Sequence, residues 1–459
     1  MDIVERISQS LSHWGSHSAF VELTPGASPI RMSASEFEIR CHTIEELFRE
    51  AGIRDRSTVA MFIENSIDFV AVFIALLRIH ALLSAVKLDF RRMELDEVFK
   101  NFDPDFVISE ESHLPVIAAY LSDRTTLVHR SGGRFEIRPG RVQTGRPDVP
   151  DDVASINYTY RGYGYPLGSM TPYAGYQITA QFVLGCLRAT PGNRSLVILP
   201  MPHIYTLAAS IFVPIFGQMT SVIARTIHPR HLLRYIAEEQ INYITSVPEI
   251  YTMLSGFIDE KHELGSLRAL VSGGSRLTVE QNAFVSECFR CEVLHGYGLT
   301  EYPIVSAPAR ETSRPGTMGP PAGEVEWRIA ADGELVFRSN YLAAGYYRRP
   351  EESREAFSDG WFATGDLIEE SEGHLVFVRE KKATCKVNGN MVDFAEVERA
   401  IMTFPGVVMS RAYLESRALV AEVLFDDGEV DQGRIRILRE YLFGIMSPHK
   451  VPKTILSTK

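Results

Sequence analysis

Cysteine is scarce: five in 459 residues, too few for a disulfide scaffold. Cys288 and Cys291 make one CxxC in the segment CFRC. No second CxxC or HxxxH accompanies it to complete a four-ligand zinc site, so the segment reads as a helix end running into a strand. Long apolar runs are also missing. The stretch Phe69 to Val86 is interrupted by Arg78 and His80, and Leu207 to Ala224 by Pro214 and Gly217. Neither supplies the roughly 20 clean apolar residues of a membrane span. The N-terminus, MDIVERISQSL, carries Asp2 and Glu5 without an apolar core, which excludes a secretory signal and makes the cytoplasm the expected location. Positive charge is in deficit: 47 Lys and Arg against 58 Asp and Glu leave a net charge of −11. Such a chain is a poor general binder of nucleic acid or anionic membrane. An anionic ligand would need a locally built site.

What is present is ordinary for a globular enzyme, with 45% hydrophobic and 23% charged residues. The length predicts two to four packing units. Strand patterns at 58–63, 195–199, 243–246 and 267–271 alternate with helical patterns at 67–77, 231–239 and 249–257. This alternation predicts α/β layers with parallel sheets, and ligand sites at the strand C-termini. Beyond Pro303 the texture becomes β-rich, with strands at 324–329 and 334–338 around the turn Ala331–Asp332–Gly333. A charged REKK run at 379–382 precedes a helix at 394–403 and strands at 407–414 and 419–425.

Three stretches carry chemistry. In LHGYGLTE, Gly296 and Gly298 bracket Tyr297, letting backbone approach a ligand beside an aromatic face. Thr300 and Glu301 then offer a hydroxyl for phosphate and a hard oxygen for a metal. In WFATGDL, Asp366 follows a Thr-Gly pair that reads as a turn exposing a carboxylate able to accept two ribose hydroxyls. In KVNGNMVD, Lys386 precedes a tight turn at Gly389 and a helix with an acidic start.

In order and spacing these stretches resemble the adenylate-forming (ANL) superfamily of acyl-CoA synthetases, adenylation domains and luciferases. PMPHIYTL at 200–207, with His203, resembles that family's proline–histidine loop, and TSVP at 245–248 and VSGGSRL at 271–277 resemble its acid-pocket segments. The resemblance implies a large layered α/β body with a β-rich subdomain, residues 1–381. A small mobile α+β lid follows at 382–459, expected to be incomplete at its end. It implies that a carboxylic acid attacks the α-phosphate of ATP, with Mg²⁺, and that a thiol then displaces AMP. The thiol would belong to coenzyme A or to the phosphopantetheine of an acyl carrier protein. In that scheme His203 gates the acid pocket, Tyr297 stacks on adenine, with Gly274, His295 and Gly296 beside it, Thr300 bonds the α-phosphate, Glu301 ligates Mg²⁺ and Asp366 holds the ribose. Lys386 serves thioester formation. The acid pocket would draw on His203, Tyr205, Val247, Ser272, Gly273 and Tyr302, whose aromatic content suits a planar aryl or medium acyl acid.

The chain departs from the pattern in three places. The phosphate loop reads YTYRGYGYPLG at 158–168, retaining Thr159, Gly162 and Gly164 but with Leu167 where the family has lysine. Backbone N–H groups of such a loop still cradle phosphate, and Arg161 is the candidate replacement cation, expected to contact the β- or γ-phosphate. Near the expected hinge, counting back from Gly389 puts the family's arginine on Glu380 and its pivot on Lys382, and a one-residue insertion puts them on Arg379 and Lys381. Arg379 is taken as the nucleotide-binding residue and Lys382 as the pivot. The segment SPHKVPKT at 447–454 resembles the one that precedes the family's adenylation lysine, but no Pro-x-x-x-Gly-Lys stretch occurs before Lys459. Two other readings stay open: a non-catalytic binder of nucleotide or acyl-adenylate, and an adenylating enzyme with a non-thiol acceptor such as an amine.

Overall fold

The apolar run that is too short and too interrupted for a membrane becomes the central helix Ile67–Ile79, nearly every residue of which is buried. Ser66 caps it, its hydroxyl accepting from the Phe69 N–H at 3.0 Å, and His80 ends it in the left-handed conformation. Among the described residues, no helix is long and apolar enough to cross a membrane. The computed structural model describes residues 3–121, 124–130, 134–140, 148–259, 261–381, 384–415, 418–426 and 432–457.

The helix is buried because it lies in a core shared by two sheets, with Phe20 and Val197 from one and Val59 and Ile108 from the other. The first sheet is seven-stranded, in the order Glu292–His295, Ala269–Ser272, Tyr243–Ser246, Arg194–Val197, Thr220–Ala224, Ser18–Leu23, Ile30–Ser33. All its neighbours pair in parallel except the last two. The second is also seven-stranded, with Phe106–Glu110, Thr58–Phe62 and Leu82–Ala85 at its parallel centre and antiparallel edges. The alternating strands and helices read from the sequence are these layers. The strand ends shift by at most two residues, and Tyr243–Ser246 coincides.

The β-rich texture after Pro303 is a five-stranded antiparallel sheet. Its long strand, Trp361–Ser371, contains the Thr364–Gly365–Asp366 stretch. The expected exposed turn is therefore corrected: Asp366 lies in a bulged strand and is buried. Gly365, at φ +77°, takes the left-handed conformation that the bulge requires. The C-terminal part has its own core, running from Cys385 to Ile455. It comprises the hairpin Thr384–Val387/Asn390–Asp393, the helices Phe394–Met402 and Gln432–Ile445, and a three-stranded sheet. Large body, β-rich subdomain and small α+β C-terminal domain match the fold expected. Lys382, the expected pivot, and Lys459 lie outside the described residues. Cys288 and Cys291 are free thiols where the helix Val279–Phe289 gives way to Glu292–His295.

Candidate active site

The parallel strands of the first sheet end together, and the loops leaving them line a connected set of cavities. Tyr243–Ser246 leads to Val247, Ala269–Ser272 to Gly273 and Gly274, and Glu292–His295 to Gly296–Glu301. From the other side, the C-terminal hairpin inserts its turn Asn388–Gly389, both residues at positive φ, as a two-residue turn demands. A Cβ on Gly389 would meet Val247 Cγ1 at 2.7 Å, so only glycine lets the hairpin approach this closely. The hairpin turn, His203, Tyr205 and Val247 border a channel of about 480 Å³. Ser272, Gly273, Tyr205, His203, Thr300 and Lys386 border a smaller cavity of about 70 Å³. A cleft of about 1020 Å³ opens along Gly274, His295, Gly296, Tyr297, Arg379 and Lys386.

Tyr297 is buried, and its hydroxyl donates to Asp366 Oδ2 at 2.7 Å. Among the described residues the other Asp366 oxygen makes no hydrogen bond. Burial raises the Asp366 pKa, against the pull of Lys386, Tyr297 and Arg161. Thr300 lines the small cavity, and among the described residues its hydroxyl makes no hydrogen bond. Glu301 is buried, and its Oε1 accepts from Tyr346 Oη and faces Arg161 Nη1 at 3.5 Å. Its Oε2 makes no hydrogen bond among the described residues, so one hard oxygen remains for a cation, which fits an Mg²⁺ that also takes phosphate oxygens.

His203 is the N-cap of a short helix, and its Nδ1 accepts from the Tyr205 N–H at 3.3 Å. Burial, with Lys87 and Lys386 nearby, pushes its pKa down to about 3, so it is a neutral imidazole with its Nε2–H available. His295 donates from Nδ1 to the Ser272 carbonyl at 3.2 Å, and burial pushes it down to about 4. A histidine depressed in the folded state binds fewer protons than in the unfolded chain, so stability falls as pH drops below 6.5 towards the folded value. The melting temperature should therefore fall less steeply on acidification in His295→Gln than in the parent. Parallel melting curves against pH would contradict this.

Two expectations about the site are corrected. Tyr302 is packed edge-on against Phe337 at 5.7 Å, in a core, and borders none of these cavities. Arg161 points inward. Its Nη2 donates to the Ala363 carbonyl at 2.6 Å and its guanidinium lies over Phe362 at 4.8 Å. Gly164, in the same loop, gives its N–H to Asp393 Oδ2 at 2.9 Å, so the loop already holds an anion, a carboxylate of the C-terminal domain. Thr159 reaches the small cavity, whereas Gly162 and Gly164 border none of those described. Sequence reasoning missed Lys87, which borders both the channel and the small cavity. Nothing in the local pattern VKLDF marks it.

The family model for AMP-binding enzymes matches residues 8–347. The 4-coumarate–CoA ligase-like 2 protein of Arabidopsis thaliana is 26% identical over 84% of this chain and 75% of its own length. A feruloyl-CoA synthase of Amycolatopsis is 25% identical over 87% of this chain and 84% of its own. Among solved structures, the amide bond synthetase McbA of Marinactinospora thermotolerans superposes with a TM-score of 0.86 at 20% identity, covering 100% of this chain and 96% of that one. The o-succinylbenzoate CoA synthetase of Bacillus subtilis gives 0.85 at 18%, covering 99% and 94%. A glycine-flanked tyrosine hydrogen-bonded to a buried aspartate, a threonine–glutamate pair beside it and a hairpin reaching in from a small second domain are thus set in the fold such ligases share, and the chain belongs to the AMP-binding, adenylate-forming enzymes.

Proposed function

We propose that the chain activates a small aryl or medium-length acyl carboxylic acid with ATP and transfers the acyl group to the thiol of a pantetheine arm. The observation that carries the thiol is the 480 Å³ channel, walled by Ile198, Leu199, Pro200 and Val247 and closed by the hairpin turn, which suits a long, thin, weakly polar arm. The curated relatives named above are coenzyme A ligases. Residues 1–381 act as the body and 382–459 as the lid in this reading.

The acid enters the small cavity beside Ser272 and Gly273, where its carboxylate meets Thr300. A carboxylate oxygen attacks the α-phosphorus of ATP, the bond to pyrophosphate breaks, and pyrophosphate leaves with the electron pair. Tyr297 offers its face to adenine and Asp366 its free oxygen to the ribose. Glu301 holds Mg²⁺, which when bound offsets phosphate charge. In the second step the sulfur, its proton released to solvent, attacks the acyl carbon past His203. The C–S bond forms, the acyl C–O bond breaks, and AMP leaves with the electron pair. Neutral His203 donates from Nε2 toward oxygen and carries no charge that would hold the departing AMP.

Pyrophosphate exchange across a panel of carboxylic acids tests the first step. Acid-dependent exchange is expected, with a thioester product when coenzyme A or a phosphopantetheinyl carrier protein is added. Exchange with no acid would favour the non-catalytic binder, and product formation only with amines would favour the amide-forming reading.

A further inference from the structure

We propose that Lys87 is the cation of the bond-forming centre, contacting the substrate carboxylate and the α-phosphate oxygens where they meet. This rests on the acid-activation reading above.

Lys87 lies just beyond the strand Leu82–Ala85, in the body. It borders the channel, the small cavity, and a narrow gap of about 10 Å³ that it shares with Thr300 and His203. Among the described residues its ammonium makes no hydrogen bond or ion pair, and it stands 5.9 Å from the centre of the Phe90 ring. The neighbouring cations differ: Lys450 pairs with two carboxylates and Arg161 faces Glu301. Lys87 is half-buried and, among the described residues, forms no ion pair with the nearby Asp89 or Glu94, so its ammonium is open to an anion that enters these cavities. Leu167, standing where the phosphate loop was expected to carry lysine, is fully buried in a core. Of the two lysines that border the small cavity, Lys386 belongs to the C-terminal hairpin and Lys87 to the body. Lys87 therefore stays beside Thr300 wherever the C-terminal domain stands. In the step written above it donates hydrogen bonds to the anionic oxygens and transfers no proton.

The charged groups facing it are Asp89 on its own loop, Glu94 on the next helix, His449 and Lys450 of the C-terminal segment, and His203 and Lys386 across the cavities. Burial, helped by Lys450 and opposed by Asp89 and Glu94, lowers the Lys87 pKa to about 8. The charged form is the binding form, so affinity for a phosphate should decline as pH rises through that value.

The test compares AMP with adenosine by calorimetry in the parent, Lys87→Met and Lys87→Arg, together with acid-dependent pyrophosphate exchange. The parent should prefer AMP by about tenfold or more, through charge-assisted hydrogen bonds. Lys87→Met should lose that preference with adenosine binding unchanged, and its exchange should drop on the order of 100-fold. Lys87→Arg should keep the preference and abolish its alkaline decline, because guanidinium stays charged. An AMP preference that survives Lys87→Met overturns the proposal, as does an equal loss of AMP and adenosine binding in both variants. A parent without exchange for any acid overturns the acid-activation reading instead. Lys87 is then judged on the AMP-to-adenosine ratio.

Discussion

Lys450→Met should loosen the C-terminal domain from the body and lower the melting temperature of the chain. Lys450, Glu94 and Glu396 are all essentially inaccessible to water. The ammonium lies 3.1 Å from Glu94 Oε1 and 2.8 Å from Glu396 Oε2, and 3.8 Å over the Tyr160 ring. Glu94 belongs to the helix Arg92–Phe102 of the body and Glu396 to the helix Phe394–Met402 of the C-terminal domain. One cation thus serves two carboxylates across the boundary. Glu94 also accepts from the Ser447 N–H at 2.8 Å, and the Tyr160 hydroxyl donates to Glu396 at 2.7 Å. Burial raises the Glu396 pKa, and Lys450 opposes that rise. Removing the cation leaves two buried carboxylates facing one another, a loss of about 3–5 kcal/mol. Hydrogen exchange should localise the loss to residues 384–457 and the loop around Tyr160, and Lys450→Met combined with Glu94→Gln should recover part of it. A melting temperature equal to the parent's would refute the argument.

Arg161→Met should destabilise the body by about 3 kcal/mol, because it strands the buried Glu301 carboxylate. A phosphate-binding surface arginine would behave differently: its loss would raise the ATP requirement of pyrophosphate release and leave the melting temperature alone. The geometry favours the first outcome, since the guanidinium contacts Glu301, the Ala363 carbonyl and Phe362. Glu301→Gln keeps the Tyr346 hydrogen bond but leaves Arg161 unpaired. Combining it with Arg161→Met should restore much of the stability. Exchange activity should not return, because the free oxygen offered to Mg²⁺ has lost its charge. If the double variant regains exchange, Glu301 is not the metal ligand. If Arg161→Met melts like the parent, the buried pair is not what holds Arg161 in place.

The contrast between Arg161 and Lys87 marks how far a sequence can be read. In YTYRGYGYPLG the arginine stands inside a glycine-rich loop and reads as a phosphate ligand. Lys87 sits in VKLDF, a pattern that carries no local signal. The fold decides both, because the strand Trp361–Ser371 passes beneath the loop and draws Arg161 in, while Lys87 borders three neighbouring cavities. Tyr302 fails for a related reason. It stands next to Glu301 in the chain, yet its ring turns into the core against Phe337.

The sequence by itself determined the layered α/β body, the smaller C-terminal domain and the residues gathered at the strand ends. The α/β alternation follows from periodicity, whereas the smaller C-terminal domain and the gathered residues follow from the family resemblance that short local motifs carry. Only the tertiary structure decided which charges are paired and which are open. Lys450 lies between carboxylates separated by 302 residues (94 and 396), and Arg161 faces a glutamate 140 residues away. Charge pairing depends on distances between segments remote in the chain, and no local pattern encodes them.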